Sequence, residues 1–240
     1  MTRENTLDAT AAGTGAKAAA PAKRGNVPAK PPRETIPFKL AQAFCRVFTS
    51  VYFDLRVWGV EHVPRAGGVL LVSNHQSYLD PVLLGTRLPR SLSYMAKSEL
   101  FQVNPVFTWG IRSLGAFPVR QTGSAAGAIK ESVERLQSGH ALNIFPEGSR
   151  TETGEIGPIE KGVALVIRKA KVPVVPVAID GSFEAWEKGR KLFRSYPIRL
   201  MYGLPMDLAD RKPDEIVSRI DRVLREMYDE LRARRRAGPY

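Results

Sequence analysis

Gly68-Val69-Leu70-Leu71-Val72-Ser73, running into Asn74-His75-Gln76-Ser77-Tyr78-Leu79-Asp80, is the stretch that decides the fold. Its first six residues are uncharged and rich in aliphatic and β-branched side chains, without the polar alternation of a half-exposed strand. They predict a strand buried on both faces, the habit of sheets covered by helices on each side. The polar heptapeptide starts where that strand ends, and Pro81 to Thr86 reads as a helix start. Strand, polar turn and helix in that order open an α/β unit.

Outward from this unit the same alternation repeats. Strand-like runs fall at Val57–Val60, Leu92–Ala96, Gly115–Val119, Ala141–Phe145, Val172–Ile179 and Ile198–Tyr202. Helical periodicity marks Ile36–Phe53, Pro105–Ser113, Ala125–Gln137, Lys161–Ala170 and Pro213–Arg235. The pattern predicts an α/β fold: a single domain with a mostly parallel or mixed central sheet flanked by helices, preceded by an amphipathic N-terminal helical segment. Pro173 and Pro176 predict an edge position or an irregularity for their strand. Residues 1–35 are rich in Ala, Gly, Thr, Pro and Lys, and read as a disordered basic tail. Residues 36–56 form the amphipathic, membrane-associated helix of this reading, and 57–240 the α/β domain.

The chain of 240 residues holds 36 Lys and Arg against 24 Asp and Glu, a formal charge of +12, which points to anionic partners: nucleic acid, anionic lipid or a phosphorylated substrate. One cysteine, Cys45, excludes an internal disulfide and a Cys-rich metal site. No charge-free apolar run reaches the roughly 18 residues of a membrane-crossing helix, and the N-terminus does not read as a secretory signal.

Several signatures of common chemistry are missing: the Gly-x4-Gly-Lys-Ser/Thr phosphate loop, Gly-x-Gly-x-x-Gly after a strand, and the Gly-x-Ser-x-Gly elbow. His62, His75 and His140 lack metal-ligand spacing. His75 stands out because it lies just past a buried strand, where sites of α/β sheets gather, with Asp80 five residues on. A carboxylate holding one imidazole nitrogen leaves the other free to take a proton. The competing account is a turn histidine and an aspartate capping the next helix. Phe145-Pro146-Glu147-Gly148-Ser149-Arg150 crowds an acid, a glycine, a hydroxyl and an arginine at another strand end. Phe117-Pro118-Val119-Arg120 ends a third strand with a cation. Each of these two also reads as an ordinary charged turn.

Taken in order with Val172-Pro173-Val174-Val175-Pro176-Val177, these segments resemble the glycerolipid acyltransferase family, most closely the 1-acylglycerol-3-phosphate (lysophosphatidic acid) acyltransferases, over roughly residues 57–205. The resemblance implies an O-acyltransferase of phospholipid synthesis, moving an acyl group from a thioester of coenzyme A or acyl carrier protein to the free sn-2 hydroxyl of 1-acylglycerol-3-phosphate and giving phosphatidic acid, with another lysolipid as the alternative acceptor. It implies His75 as general base and Asp80 as its orienting partner. Arg120, Glu147, Gly148, Ser149 and Arg150 fall at substrate-binding positions, Ser149 standing where the family often has Thr. Lys161 matches a phosphate contact, although Glu160 replaces the family's preceding basic or aromatic residue. Pro176 reads equally as pocket wall or as buried strand. No metal and no cofactor are expected beyond the thioester co-substrate.

Such an enzyme must meet a lipid in a bilayer. The helix at 36–53, the segment Phe101–Trp109 and the basic run Lys188-Gly189-Arg190-Lys191-Leu192-Phe193-Arg194 are the stretches suited to an anionic membrane surface, or alternatively to core packing and a solvated loop. The expected place is the cytoplasmic face of a membrane, peripheral or monotopic. A basic module binding nucleic acid or membranes without catalysis accounts for the charge but not for the ordered motifs.

Overall fold

The computed structural model describes residues 36–97, 116–119 and 125–238. The predicted tail at 1–35, the helix predicted at Pro105–Ser113, the segment Phe101–Trp109 and Arg120 lie outside the described residues.

β2 (Val69–Ser73) is fully buried along its length, as its unbroken apolar run requires. It lies inside a seven-stranded sheet of order β1-β7-β6-β2-β5-β3-β4, made with β1 (Arg56–Trp58), β3 (Leu92–Lys97), β4 (Ala116–Val119), β5 (Ala141–Ile144), β6 (Val174–Asp180) and β7 (Arg199–Tyr202). Every neighbouring pair is parallel except β6 with β7. Successive side chains of β2 feed opposite cores. Leu70 and Val72 join a cluster with Ile167 of α4 (Gly162–Ala170) and Ile220 of α6 (Pro213–Arg236), with Val133 of α3 (Ala125–Gln137) packed against it. Val69 and Leu71 join a second cluster with Leu83 and Leu84 of α2 (Asp80–Thr86), against which Phe48 of α1 (Ile36–Tyr52) packs. Helices therefore cover both faces, as the alternating pattern predicts.

Pro176 in β6, and Pro173 just before it, do not put the strand at an edge. It is an interior strand between β2 and β7, with all seven residues buried. The predicted irregularity is there instead. Val177 pairs with Tyr202, yet Val174 pairs with Met206, one residue beyond an unbroken ladder. Pro176, which has no N–H to give, sits at this bulge and only accepts, from the Gly203 amide at 2.8 Å. Gly203 is needed there, because a Cβ would come 2.8 Å from the proline ring.

α1 packs on α2, where Gln42 Nε2 donates to the Gly85 and Leu88 carbonyls at 2.8 and 3.1 Å. Its other side carries Ile36, Leu40, Phe44, Val47 and Val51 in one stripe, 65 to 81% exposed. Among the described residues no helix is long and apolar enough to cross a membrane.

Candidate active site

Three adjacent parallel strands, β6, β2 and β5, end on one edge of the sheet, and the polar segments of the sequence leave from those ends. Past β2, the Asn74 side chain acts as an extra rung: its Nδ2 donates to the Ile179 carbonyl and its Oδ1 accepts the Ile179 amide, both at 2.8 Å. That double bond ties the turn to β6 and directs the chain toward His75.

His75 Nδ1 lies 2.8 Å from Asp80 Oδ2. The Asp80 side chain has no exposure, whereas that of His75 keeps 18%. The same Oδ2 accepts the Gln76 and Ser77 amides at 2.7 Å each, and Oδ1 accepts the Ser182 hydroxyl at 2.7 Å. A carboxylate engaged by so many donors is an acceptor toward the ring as well, so Nδ1 carries the proton and Nε2 holds a free lone pair. The aspartate does not serve as a helix cap: its bonds go back to the turn and across to Ser182. The imidazole is clamped in plane by Phe145, stacked at 3.8 Å between centroids and 16° between planes.

Past β5, Glu147 turns inward. Its Oε1 accepts the His75 amide at 2.8 Å and its Oε2 the Gly157 amide at 2.7 Å. Burial pushes the Glu147 carboxyl above its ordinary value, and those two amides pull it back. Glu147 thus holds the histidine turn and the following loop together, further fixed by the Thr151 amide on the His75 carbonyl at 2.9 Å. Gly148 turns the chain with φ 70°, and both Gly148 and Ser149 are exposed. The Arg150 guanidinium lies 3.4 Å above the Tyr78 ring, and its Nη1 is buried with no partner among the described residues. A buried unsatisfied donor of a cation is costly unless an anion completes it. Lys161 lies at the foot of α4, its ammonium 3.1 Å from Asp214 on an exposed surface.

Sequence reasoning missed what stands behind Asp80. The chain turns at Gly181 (φ 90°), where a Cβ would meet the Pro197 carbonyl oxygen at 2.2 Å, and this places Ser182 under the carboxylate. Gln76 Nε2 donates to the Gly154 carbonyl at 2.8 Å and to Tyr228 Oη of α6 at 2.9 Å; Tyr228 donates in turn to the Gly154 carbonyl at 2.7 Å. Burial pushes the Tyr228 hydroxyl up, keeping it a donor. The one available signal is polarity in apolar surroundings: Gln76 inside the turn, Ser182 after a buried strand, Tyr228 on the inner face of α6.

Among the described residues no group of His, Cys, Asp and Glu is placed to hold a metal ion. The arrangement suits transfer of a proton from a hydroxyl to His75 Nε2, with an anion held at Arg150.

Comparison with known proteins bears on this geometry. The chain is 30% identical over 174 residues to the 1-acyl-sn-glycerol-3-phosphate acyltransferase of Bacillus subtilis, covering 72% of this chain and 84% of that one. It is 35% identical over 145 residues to the protein of the same name from Streptococcus pneumoniae, covering 60% and 52%. The crystal structure of the 1-acyl-sn-glycerophosphate acyltransferase PlsC from Thermotoga maritima matches with a TM-score of 0.70 at 29% identity, over 82% of this chain and 80% of that chain. A family model described as Acyltransferase matches residues 54–180, which takes in the turn at His75, the Glu147 loop and all of β6. With more than half of its length matched in this way, the chain belongs to the acyltransferase family.

Proposed function

We propose that the protein transfers an acyl group from a thioester of coenzyme A or acyl carrier protein to the sn-2 hydroxyl of 1-acylglycerol-3-phosphate, giving phosphatidic acid. The observation that carries this reading is the His75–Asp80 pair at 2.8 Å, with the aspartate fully buried and the ring partly open. The names of the Bacillus and Thermotoga relatives support the acceptor. The unpartnered Arg150 nitrogen supports an anion beside the histidine.

In this mechanism the acceptor hydroxyl gives its proton to His75 Nε2 while its oxygen bonds to the thioester carbonyl carbon. The imidazolium is stabilised through Nδ1–H by Asp80. When the tetrahedral adduct collapses, the carbon–sulfur bond breaks and the departing thiolate takes the proton from Nε2, leaving an ester, a thiol and neutral histidine. Arg150 holds the acceptor phosphate, with Arg120 and Lys161 as further cations of the same task, and Glu147 sets the histidine backbone. Gly148 lets the chain approach closely, and Ser149 offers a hydroxyl at the mouth. The reaction needs neither metal nor cofactor. The enzyme works at an anionic membrane surface on the cytoplasmic side, through the bare stripe of α1 and the basic run 188–194.

Thiol release from oleoyl-coenzyme A or oleoyl-acyl carrier protein, with and without 1-oleoylglycerol-3-phosphate, tests the reading. Acceptor-dependent release is expected, falling on the order of 10³-fold or more in His75→Ala while the unfolding midpoint holds. Unchanged release in that variant overturns it.

A further inference from the structure

A row of aromatic rings leads away from the histidine turn and has no part in the proton transfer. It begins at Tyr78, under the Arg150 guanidinium. Tyr78 meets Trp186 at 5.4 Å between centroids, Trp186 meets Phe193 at 5.7 Å, and Phe193 meets Tyr52 and Phe48 of α1 at 5.6 and 6.2 Å. The row therefore joins the site to the helix whose outer stripe is bare.

These rings are not ordinary core. Tyr78 is 50% exposed and Phe193 37%, and Trp186 is half-buried. Their segments are nonetheless tied down. The Trp186 indole N–H donates to the Arg190 carbonyl at 2.8 Å, the Trp186 carbonyl accepts the Ser77 hydroxyl at 2.9 Å, and Ser195 Oγ donates to the Tyr52 carbonyl at 2.6 Å. Rings whose segments are held in this way, yet which stay partly exposed, make an apolar strip that calls for a covering ligand.

The geometry points to a binding strip for the acyl chain of the acceptor lipid, running along Tyr78, Trp186 and Phe193 from the phosphate at Arg150 toward the outer face of α1. The inference rests on the acyltransfer reading for the phosphate at Arg150. The choice of chain follows from where the charge sits. A cation at the head of an apolar row suits a lipid whose phosphate and chain share one glycerol. In a thioester donor the chain next to the carbonyl is uncharged, and any phosphates lie beyond the sulfur. The strip then holds the acceptor with its head at the histidine and its tail toward the bilayer.

The test compares kcat/KM for 1-oleoyl- and 1-hexanoylglycerol-3-phosphate in the full chain. A strip that buries chain methylenes makes the long acceptor the better one, and Trp186→Ala and Phe193→Ala lower the oleoyl-to-hexanoyl ratio about tenfold. Leu165→Ala, on the exposed side of α4, leaves the ratio at its wild-type value. A second measurement needs no turnover. In a chain with Trp58→Phe and Trp109→Phe, a 1-acylglycerol-3-phosphate brominated along its chain quenches the fluorescence of Trp186. A ratio unmoved by both alanines, or no quenching, overturns the strip. Quenching intact in a chain that releases no thiol with either acceptor sinks the acyltransfer reading and leaves the strip standing, so the two failures are told apart.

Discussion

The turn from Asn74 to Asp80 and the outer face of α1 are held in opposite ways. In the turn, Asn74, Gln76, Ser77 and Asp80 are buried; each makes at least two hydrogen bonds, and at least one of each reaches β6, the loop after β5, α5 (Ser182–Ala185), Trp186 just past it, or α6. On α1, Ile36, Leu40, Phe44, Val47 and Val51 stand at 65 to 81% exposure. The inner side of that helix is fastened by Gln42 and by Phe48. At the turn proposed to move a proton, the donors and acceptors are over-determined, because a free buried polar group costs more than its bond returns. On the face of α1 proposed to meet lipid, apolar surface stays open, as it would on a helix that a bilayer covers.

The contrast is broken most strongly from the lipid side. Leu40→Ser together with Val51→Ser removes two exposed side chains of the stripe, so the fold loses no packed contact and the unfolding midpoint stays put. Burial of the pair in an interface is worth about 3 kcal/mol, and sedimentation with vesicles containing anionic lipid weakens about a hundredfold. Equal sedimentation of variant and wild type would show that the stripe meets something other than lipid.

The turn responds to a much smaller chemical change. Ser182→Ala removes a single oxygen, but among the described residues that oxygen is the donor to Asp80 Oδ1, in a carboxylate with no exposure. The cost is about 1–3 kcal/mol, read as a lower midpoint in urea. If Ser182 positions the aspartate, kcat falls as well while the acceptor KM holds. A change in KM alone would remove Ser182 from the histidine's support.

This pair of regions also marks what a sequence can disclose. His75 and Asp80 are legible because five residues and one turn bring them together, and Glu147 and Arg150 because they sit at the next strand end. Ser182 is 102 residues from Asp80, and Tyr228 is 152 from Gln76; no local spacing encodes either contact. The β2 run fixes an α/β sheet by its lack of polar alternation, and the helix pattern of α1 is equally plain. Periodicity does not say which side of α1 is covered, since Phe48 packs inward and Phe44, four residues earlier, is 71% exposed. Pro176 misleads about position for a related reason: a proline excludes a regular rung, and the irregularity that absorbs it belongs to the chain beyond β7, far off in sequence. Lys161, matched by motif, faces Asp214 of α6, a carboxylate that the motif does not include.

Glu147 sharpens the comparison at its finest scale, because it is an acid whose burial and hydrogen bonds pull in opposite directions. Glu147→Gln keeps the shape but turns an N–H₂ toward one of the two amides, those of His75 and Gly157, and loses about 1 kcal/mol. Burial is the larger influence and sets the folded carboxyl above its ordinary value. The folded chain therefore holds that proton more tightly than the unfolded one. Stability from this group is complete below the unfolded value and is lost as pH rises through the folded value. Glutamine does not titrate, so the deficit of Glu147→Gln against wild type is largest toward about pH 5 and shrinks toward about pH 7.5. Urea midpoints of the two proteins at both pH values measure it. A deficit that instead grows toward neutral pH would mean that the two amides outweigh burial, and that the loop favours a charged Glu147 beside the histidine.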